Sequence, residues 1–170
     1  KAADEYVIGV RKNIRNDKPI IAHYGVNEEG SGDMYYKGGN MLHTIRQVIH
    51  NDEKFRNILS GLNKTFYHQT VTSKQVEEYI SQHSGINFSK VFDEYLRTTM
   101  VPELQYKSMN GKIMYRWNNC VPGFNMPLEI YNDKGKLIFI HPTEKFQQVP
   151  KGVKDIKVDE NYFVTSKEFE

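Results

Sequence analysis

Hydrophobic residues recur every three to four positions through much of the first hundred residues, which is the period of an amphipathic α-helix. The pattern is clear in segments 41–49, 55–66 and 88–100, and a shorter run after residue 72 repeats it. Four or five short helices with brief connections are therefore expected, and such helices pack as a compact bundle. The positions expected to face inward are Met41, Leu42, Ile45, Val48, Ile49, Phe55, Ile58, Leu59, Leu62, Phe66, Val76, Tyr79, Ile80, Val91, Phe92, Tyr95 and Leu96.

Residues typical of helix ends separate these segments. Asn51 precedes two acidic residues, which favours a helix start because acidic groups meet the positive end of the helix dipole there. Thr72 and Gln75 have the spacing of a capping box. Gly85 is expected to end that helix, and Pro102 follows the last helical segment, where a helix has usually ended.

After residue 101 the hydrophobic period shortens to two, the period of a strand with one buried face. In segment 112–119, aromatic and aliphatic residues alternate with Met114 and Arg116. Segment 128–140 has two β-rich runs around the turn sequence NDKG, which predicts a hairpin. Segment 153–165 could supply another strand.

The change of period predicts an α+β chain with two domains. Residues 1–100 would form a helical bundle, and residues 101–170 a small antiparallel β-sandwich-like domain.

Composition and charge narrow the possible partners. The 23 basic and 21 acidic residues give a net charge of +2, too balanced to indicate nucleic acid or an anionic membrane as partner. No apolar stretch approaches the length of a membrane span, and no secretory leader is visible. Cys120 is the only cysteine, which makes a cysteine-based zinc site unexpected. The chain begins with Lys1 rather than Met, so a processed or excised segment is expected, and the compartment cannot be read.

One segment of the helical half lacks the helical pattern. Residues 15–33 contain a proline and three glycines, and long ordered loops in compact domains are often functional. The loop ends at Asp33, an acceptable N-cap, so a helix is expected from about Met34.

Two neighbouring tyrosines stand in the expected first turn of this helix. Tyr35 and Tyr36 could both pack under the loop with bonded hydroxyls, which is the commoner use of tyrosine, or one could be catalytic. Gly38 and Gly39 follow and would permit another backbone to approach closely.

The segment YYKGGNML, residues 35–42, resembles the Tyr-x-Lys-Gly-(Ala/Gly)-x-x-Leu signature of the aminopeptidase N family, the gluzincin zinc aminopeptidases. The spacing to Lys37 matches Tyr35 to the family's catalytic tyrosine and places Tyr36 at the variable position. Three further segments resemble bacterial members of that family, so the resemblance covers essentially the whole chain. They are KPIIAHYGVN at 18–27, FDEYLRTTMVPELQY at 92–106 and YRWNNCVPGFNMPLEIY at 115–131.

The resemblance implies a fold and a chemistry. Residues 1–100 would be the C-terminal, helical end of a thermolysin-like catalytic domain, followed by the family's β-sandwich domain. The parent enzyme would remove N-terminal residues from peptides, with zinc activating a water. Tyr35 would donate a hydrogen bond to the tetrahedral oxyanion, since a phenol with a pKa of about 10 stays protonated at neutral pH.

The zinc-binding signature His-Glu-x-x-His does not occur among the chain's six histidines. His43 and His50 could share a helical face, but neither has an acidic neighbour at useful spacing. In the family the zinc ligands, the general base and the residues that grip the substrate amine precede the Tyr-x-Lys-Gly helix. The upstream part of the catalytic domain would therefore be a partner, and this chain alone is expected to bind no zinc and to be inactive. The alternative is a non-catalytic helical-plus-β module for binding or scaffolding.

Overall fold

The computed structural model describes residues 2–169, and within them the helices precede the strands as predicted. The α+β fold class is therefore confirmed. Five α-helices are α1 Ala2–Gly9, α2 Tyr36–Ile49, α3 Asp52–Thr65, α4 Ser73–Ser84 and α5 Ser89–Arg97. Two short 3-10 helices, Val10–Asn13 and Gly32–Met34, flank the long loop.

The predicted ends of α3 and α4 are confirmed. The Asn51 side chain accepts a hydrogen bond from the Lys54 backbone N–H at 2.9 Å, which caps α3. Thr72 and Gln75 form the reciprocal capping box of α4. Gly85 ends α4 with φ 74°, a left-handed conformation that favours glycine.

The second half of the chain forms two sheets. Their strands are β1 Glu103–Met109, β2 Lys112–Asn118, β3 Leu128–Tyr131, β4 Leu137–Ile140, β5 Gln147–Gln148 and β6 Thr165–Glu168. The first sheet has the order β5-β2-β1-β6, and the predicted hairpin of β3 and β4 forms the second. The sheet is mixed rather than wholly antiparallel, because β6 pairs parallel to β1.

Two details of the β half differ from the sequence analysis. Strand β1 was not predicted, although Asn110 and Gly111 join it to β2 with positive φ at both positions, as two-residue hairpins require. Segment 153–165 is mostly irregular: Val158 makes one isolated bridge to Ile130, and β6 begins only at Thr165.

A continuous hydrophobic core joins the helices to the sheets. Trp117 is 2% exposed and its indole N–H donates to the Met126 carbonyl at 3.0 Å. Across the predicted domain boundary, the Phe163 backbone N–H donates to the Thr44 hydroxyl at 2.9 Å, and the Tyr95 hydroxyl donates to the Phe163 carbonyl. The division into residues 1–100 and 101–170 stays a prediction.

Most positions expected to face inward are buried or half-buried, but Leu59 is 37% exposed on α3. Within residues 2–169, no helix is long and apolar enough to cross a membrane.

Candidate functional site

The helix that carries the two tyrosines begins later than predicted. Asp33 was expected to cap it, but a short 3-10 helix covers Gly32–Met34 and α2 starts at Tyr36. Ser31 caps the 3-10 helix instead, because its hydroxyl accepts from the Asp33 N–H at 3.2 Å. Tyr35 therefore lies at the junction of the two helices rather than inside the first turn.

Asp33 is buried for a different reason. Its carboxylate accepts hydrogen bonds from the backbone N–H groups of Arg15, at 3.0 Å, and Asn16, at 2.6 Å. These amides belong to the start of the long loop, so the carboxylate fixes the loop against the beginning of α2. Acceptance of several backbone N–H bonds is a common way to keep a carboxylate in a protein interior.

Tyr35 and Tyr36 are exposed, and a buried residue stands on either side of this segment. Tyr35 is 75% exposed and Tyr36 38%, whereas Asp33 is 3% and Lys37 1% exposed. Of the two alternatives for Tyr35, packing under the loop does not agree with this exposure: Tyr35 faces outward between two buried residues, Asp33 and Lys37. An exposed ring on an anchored turn can contact another molecule without first being uncovered.

Lys37 is a fully buried cation at the first turn of α2. Its ammonium donates to the Thr98 carbonyl at 2.9 Å, just after α5 ends. Burial lowers the pKa of Lys37, and the nearby carboxylates of Asp33 and Glu94 oppose that shift.

Glu94, on α5, is completely buried. It is one of the two carboxylates whose negative charge stabilises the Lys37 ammonium. Burial raises the pKa of Glu94, while a hydrogen bond from the Val121 N–H at 2.7 Å and the charge of Lys37 lower it. The second oxygen, Oε1, is buried and has no hydrogen-bond partner within residues 2–169. Glu94 thus connects α5 to the β half while supplying a counter-charge to Lys37.

Backbone hydrogen bonds close the base of the long loop before α2. The Ser31 N–H donates to the Pro19 carbonyl at 3.2 Å, and the Ile21 N–H donates to the Leu96 carbonyl at 3.0 Å. A side chain at Gly30 would collide with the Ile20 carbonyl oxygen. His23, within this loop, is exposed.

A polar cleft of about 580 Å³ opens beside the loop base. Its lining includes Lys12, Arg15, Asp17, Ser31, Asp33 and Tyr36. Because cations and carboxylates both line it, the cleft has no single charge preference. It nevertheless places Tyr36 at a concave surface next to Tyr35.

Within residues 2–169, no other backbone approaches Gly38 or Gly39 closely. A Cβ atom at either position would meet no heavy atom of a neighbouring segment within 4 Å.

The metal-ligating side chains of residues 2–169 do not come together as a zinc site would require. Within residues 2–169, no group of three or more histidine, cysteine, aspartate or glutamate side chains could hold a metal ion. His43 and His50 have separate partners: His43 Nε2 is 3.1 Å from the Asn161 side-chain oxygen, and His50 Nδ1 is 3.6 Å from Glu129.

Comparison with known proteins identifies the fold. A scan against protein-family models and a search of curated proteins each found no match. Among solved structures, the chain is similar to Legionella pneumophila aminopeptidase A, determined in complex with aspartic acid, with a TM-score of 0.64 and 16% identity. The match covers 96% of this chain and 22% of the Legionella chain.

This chain has a peptidase-like fold. At 16% identity the similarity concerns the fold alone, and the chain spans about a fifth of the Legionella protein.

Proposed function

We propose that this chain is a segment of a zinc-dependent aminopeptidase that removes N-terminal residues from peptides, and that Tyr35 supplies a hydrogen bond to the transition state. The observation that carries the proposal is the exposed Tyr35 ring, 75% accessible, on a turn whose flanking residues are buried. The tyrosine stands in the Tyr-x-Lys-Gly pattern, and the fold is similar to that of an aminopeptidase.

The chemistry assigned to Tyr35 follows from peptide hydrolysis. Attack of water on a peptide carbonyl places negative charge on its oxygen. A phenol keeps its proton at neutral pH and can donate it in a hydrogen bond to that oxygen. One such donor is typically worth about 2.7–4 kcal/mol in the transition state.

The described residues do not include a zinc site, so no catalytic step through zinc is assigned to them. In the proposal, the metal ligands, the general base and the residues that bind the substrate amine belong to an upstream part of the parent enzyme.

The test uses the full-length parent protein and an aminoacyl anilide whose amine is free. We expect zinc-dependent release of aniline, and no reaction with the same anilide acetylated on its amine. Residues 1–170 produced alone should not hydrolyse either substrate and should retain no stoichiometric zinc after dialysis.

Two results would contradict the proposal. A parent that lacks an upstream His-Glu-x-x-His signature and releases no aniline would favour the non-catalytic binding module. One tightly held zinc ion per isolated chain would show that the ligand set had been assigned to the wrong part of the protein.

A further inference from the structure

Tyr35 is bracketed by two buried ionisable residues at equal distance along the chain. Asp33 and Lys37 are 3% and 1% exposed, whereas the three residues between them, Met34, Tyr35 and Tyr36, are all exposed. Charged side chains are almost never fully buried unless they are paired or hydrogen-bonded. The burial of Asp33 and the burial of Lys37 therefore each need a structural reason.

On the C-terminal side, Lys37 ties α2 to the end of α5. Its ammonium donates to the Thr98 carbonyl at 2.9 Å. Thr98 is itself held, because its hydroxyl donates to the Glu94 carbonyl at 2.6 Å and accepts from the Met100 N–H at 3.0 Å. The first turn of α2 is thus hydrogen-bonded to a segment whose own conformation is fixed by further hydrogen bonds.

On the N-terminal side, Asp33 ties the 3-10 helix to residues 15 and 16 through three N–H···O contacts of 2.6–3.2 Å. Glu94 is the third buried ionisable residue of this group: its charge stabilises the Lys37 ammonium, and its carboxylate accepts a hydrogen bond from the Val121 N–H of the β half. One buried cation therefore lies in the field of two buried carboxylates, and each carboxylate holds a different part of the chain.

A buried cation with two buried carboxylates is not expected to raise the free energy of unfolding by itself. Removal of charges from water is costly, and well-packed apolar residues often replace a buried ion pair without loss of stability. A buried charge set does, however, restrict which geometry the backbone can adopt. A displacement of about 1 Å at a catalytic group can cost roughly a hundredfold in rate, so fixed geometry matters most beside a reacting group.

We infer that Lys37 is a positioning residue for Tyr35: together with Asp33 and Glu94 it fixes the turn from which the phenol projects. The inference rests on the proposed function. In it, Lys37 does not touch the substrate and acts only through the orientation of Tyr35.

The test is a double-mutant cycle in the full-length parent, with Lys37→Met, Tyr35→Phe and the two combined, assayed on an aminoacyl anilide. We expect Lys37→Met to lower kcat about tenfold or more, with KM changed less than about twofold. In the Tyr35→Phe background the same substitution should change kcat less than about twofold, because there is no hydroxyl left to position.

A matched control lies at the other end of α2. Glu129 is also a buried carboxylate, 4% exposed, and its Oε1 is 3.6 Å from Nδ1 of His50 at the C-terminal cap of the helix. Glu129→Gln should lower Tm while it leaves kcat unchanged. If Lys37→Met does not fold, Lys37→Met combined with Glu94→Gln removes the cation together with the carboxylate that depends on it, while Asp33 keeps its hydrogen bonds from the Arg15 and Asn16 backbone N–H groups.

The outcomes separate the two proposals. If Tyr35→Phe is crippling but Lys37→Met lowers kcat by the same factor in both backgrounds, or lowers only Tm, the positioning role is overturned and the proposed function stands. An inactive parent, or a fully active Tyr35→Phe enzyme, overturns the proposed function and the positioning role with it.

Discussion

Tyr35 and Tyr95 show how differently one side-chain type is used within this chain. Tyr95 is fully buried, its hydroxyl donates to the Phe163 carbonyl, and burial raises its pKa well above the ordinary value. Tyr35 has most of its ring in solvent. The first arrangement stabilises the junction between helices and sheets, whereas the second leaves a donor accessible to another molecule.

Cys120 gives a prediction at the same scale. Burial, and secondarily the nearby Glu94 carboxylate, raise the pKa of its thiol to about 12. Because only the thiolate reacts, a shift from about 8.5 to this value leaves roughly three powers of ten less reactive species at pH 8. We expect the native chain to react far more slowly with a chromogenic disulfide reagent than the chain unfolded in guanidinium.

The absence of any other cysteine makes this measurement unambiguous. A small free thiol measured in both solutions corrects for the effect of the denaturant on the reagent. A native rate within about tenfold of the unfolded rate would contradict the raised pKa of this half-buried thiol.

At the scale of elements, the closed loop before α2 depends on Gly30. Gly30→Ala would place a methyl group on the Ile20 carbonyl oxygen, so we expect a loss of about 1–3 kcal/mol in the free energy of unfolding, the usual cost of overpacking. Gly32→Ala is the matched control, because a Cβ there meets nothing within 4 Å. Urea denaturation of both variants measures the difference. Equal stabilities would show that Gly30 does not approach the Ile20 carbonyl at the base of the loop.

Some element boundaries could be predicted from the sequence because their causes are local. The caps at Asn51 and Thr72 each need a partner only three residues away. The start of α2 was placed wrongly because Asp33 bonds to amides 17 and 18 residues earlier, which no local pattern reveals. The parallel pairing of β6 with β1 joins segments about sixty residues apart and was equally invisible.

In the candidate site, too, features with local causes could be predicted and contacts between distant residues could not. The resemblance of residues 35–42 to the Tyr-x-Lys-Gly signature selected Tyr35 for a catalytic hypothesis, which the residue pattern alone would not have done. The partners of Lys37 were not predictable, because Thr98 and Glu94 lie more than fifty residues away and meet Lys37 only when α2 packs near α5. A lysine one position before two glycines looks like a surface residue in the sequence.

For the whole molecule, the continuous core predicts that the two halves unfold together. Trp117 is the only tryptophan, lies in the β half and is buried, so its fluorescence reports on that half. The helical circular-dichroism signal reports on residues before Arg97. We expect both signals to change with one urea midpoint, because hydrogen bonds and packed side chains cross the predicted boundary near residue 100.

Two separate midpoints would instead show that residues 1–100 and 101–170 are independent domains. Tyr95→Phe provides a control, since it removes the hydroxyl that bonds to Phe163 across the boundary. This substitution should lower the midpoint of both signals if the halves unfold as one unit.

The most direct test of the central claim compares two neighbouring hydroxyls in the full-length parent. Tyr35→Phe should lower kcat by roughly two to three powers of ten with little change in KM, the scale for loss of one oxyanion donor. Tyr36→Phe, which removes the adjacent hydroxyl at the variable position of the motif, should have nearly full activity. Full activity in both variants, or a crippled Tyr36→Phe beside an active Tyr35→Phe, would contradict the assignment of Tyr35.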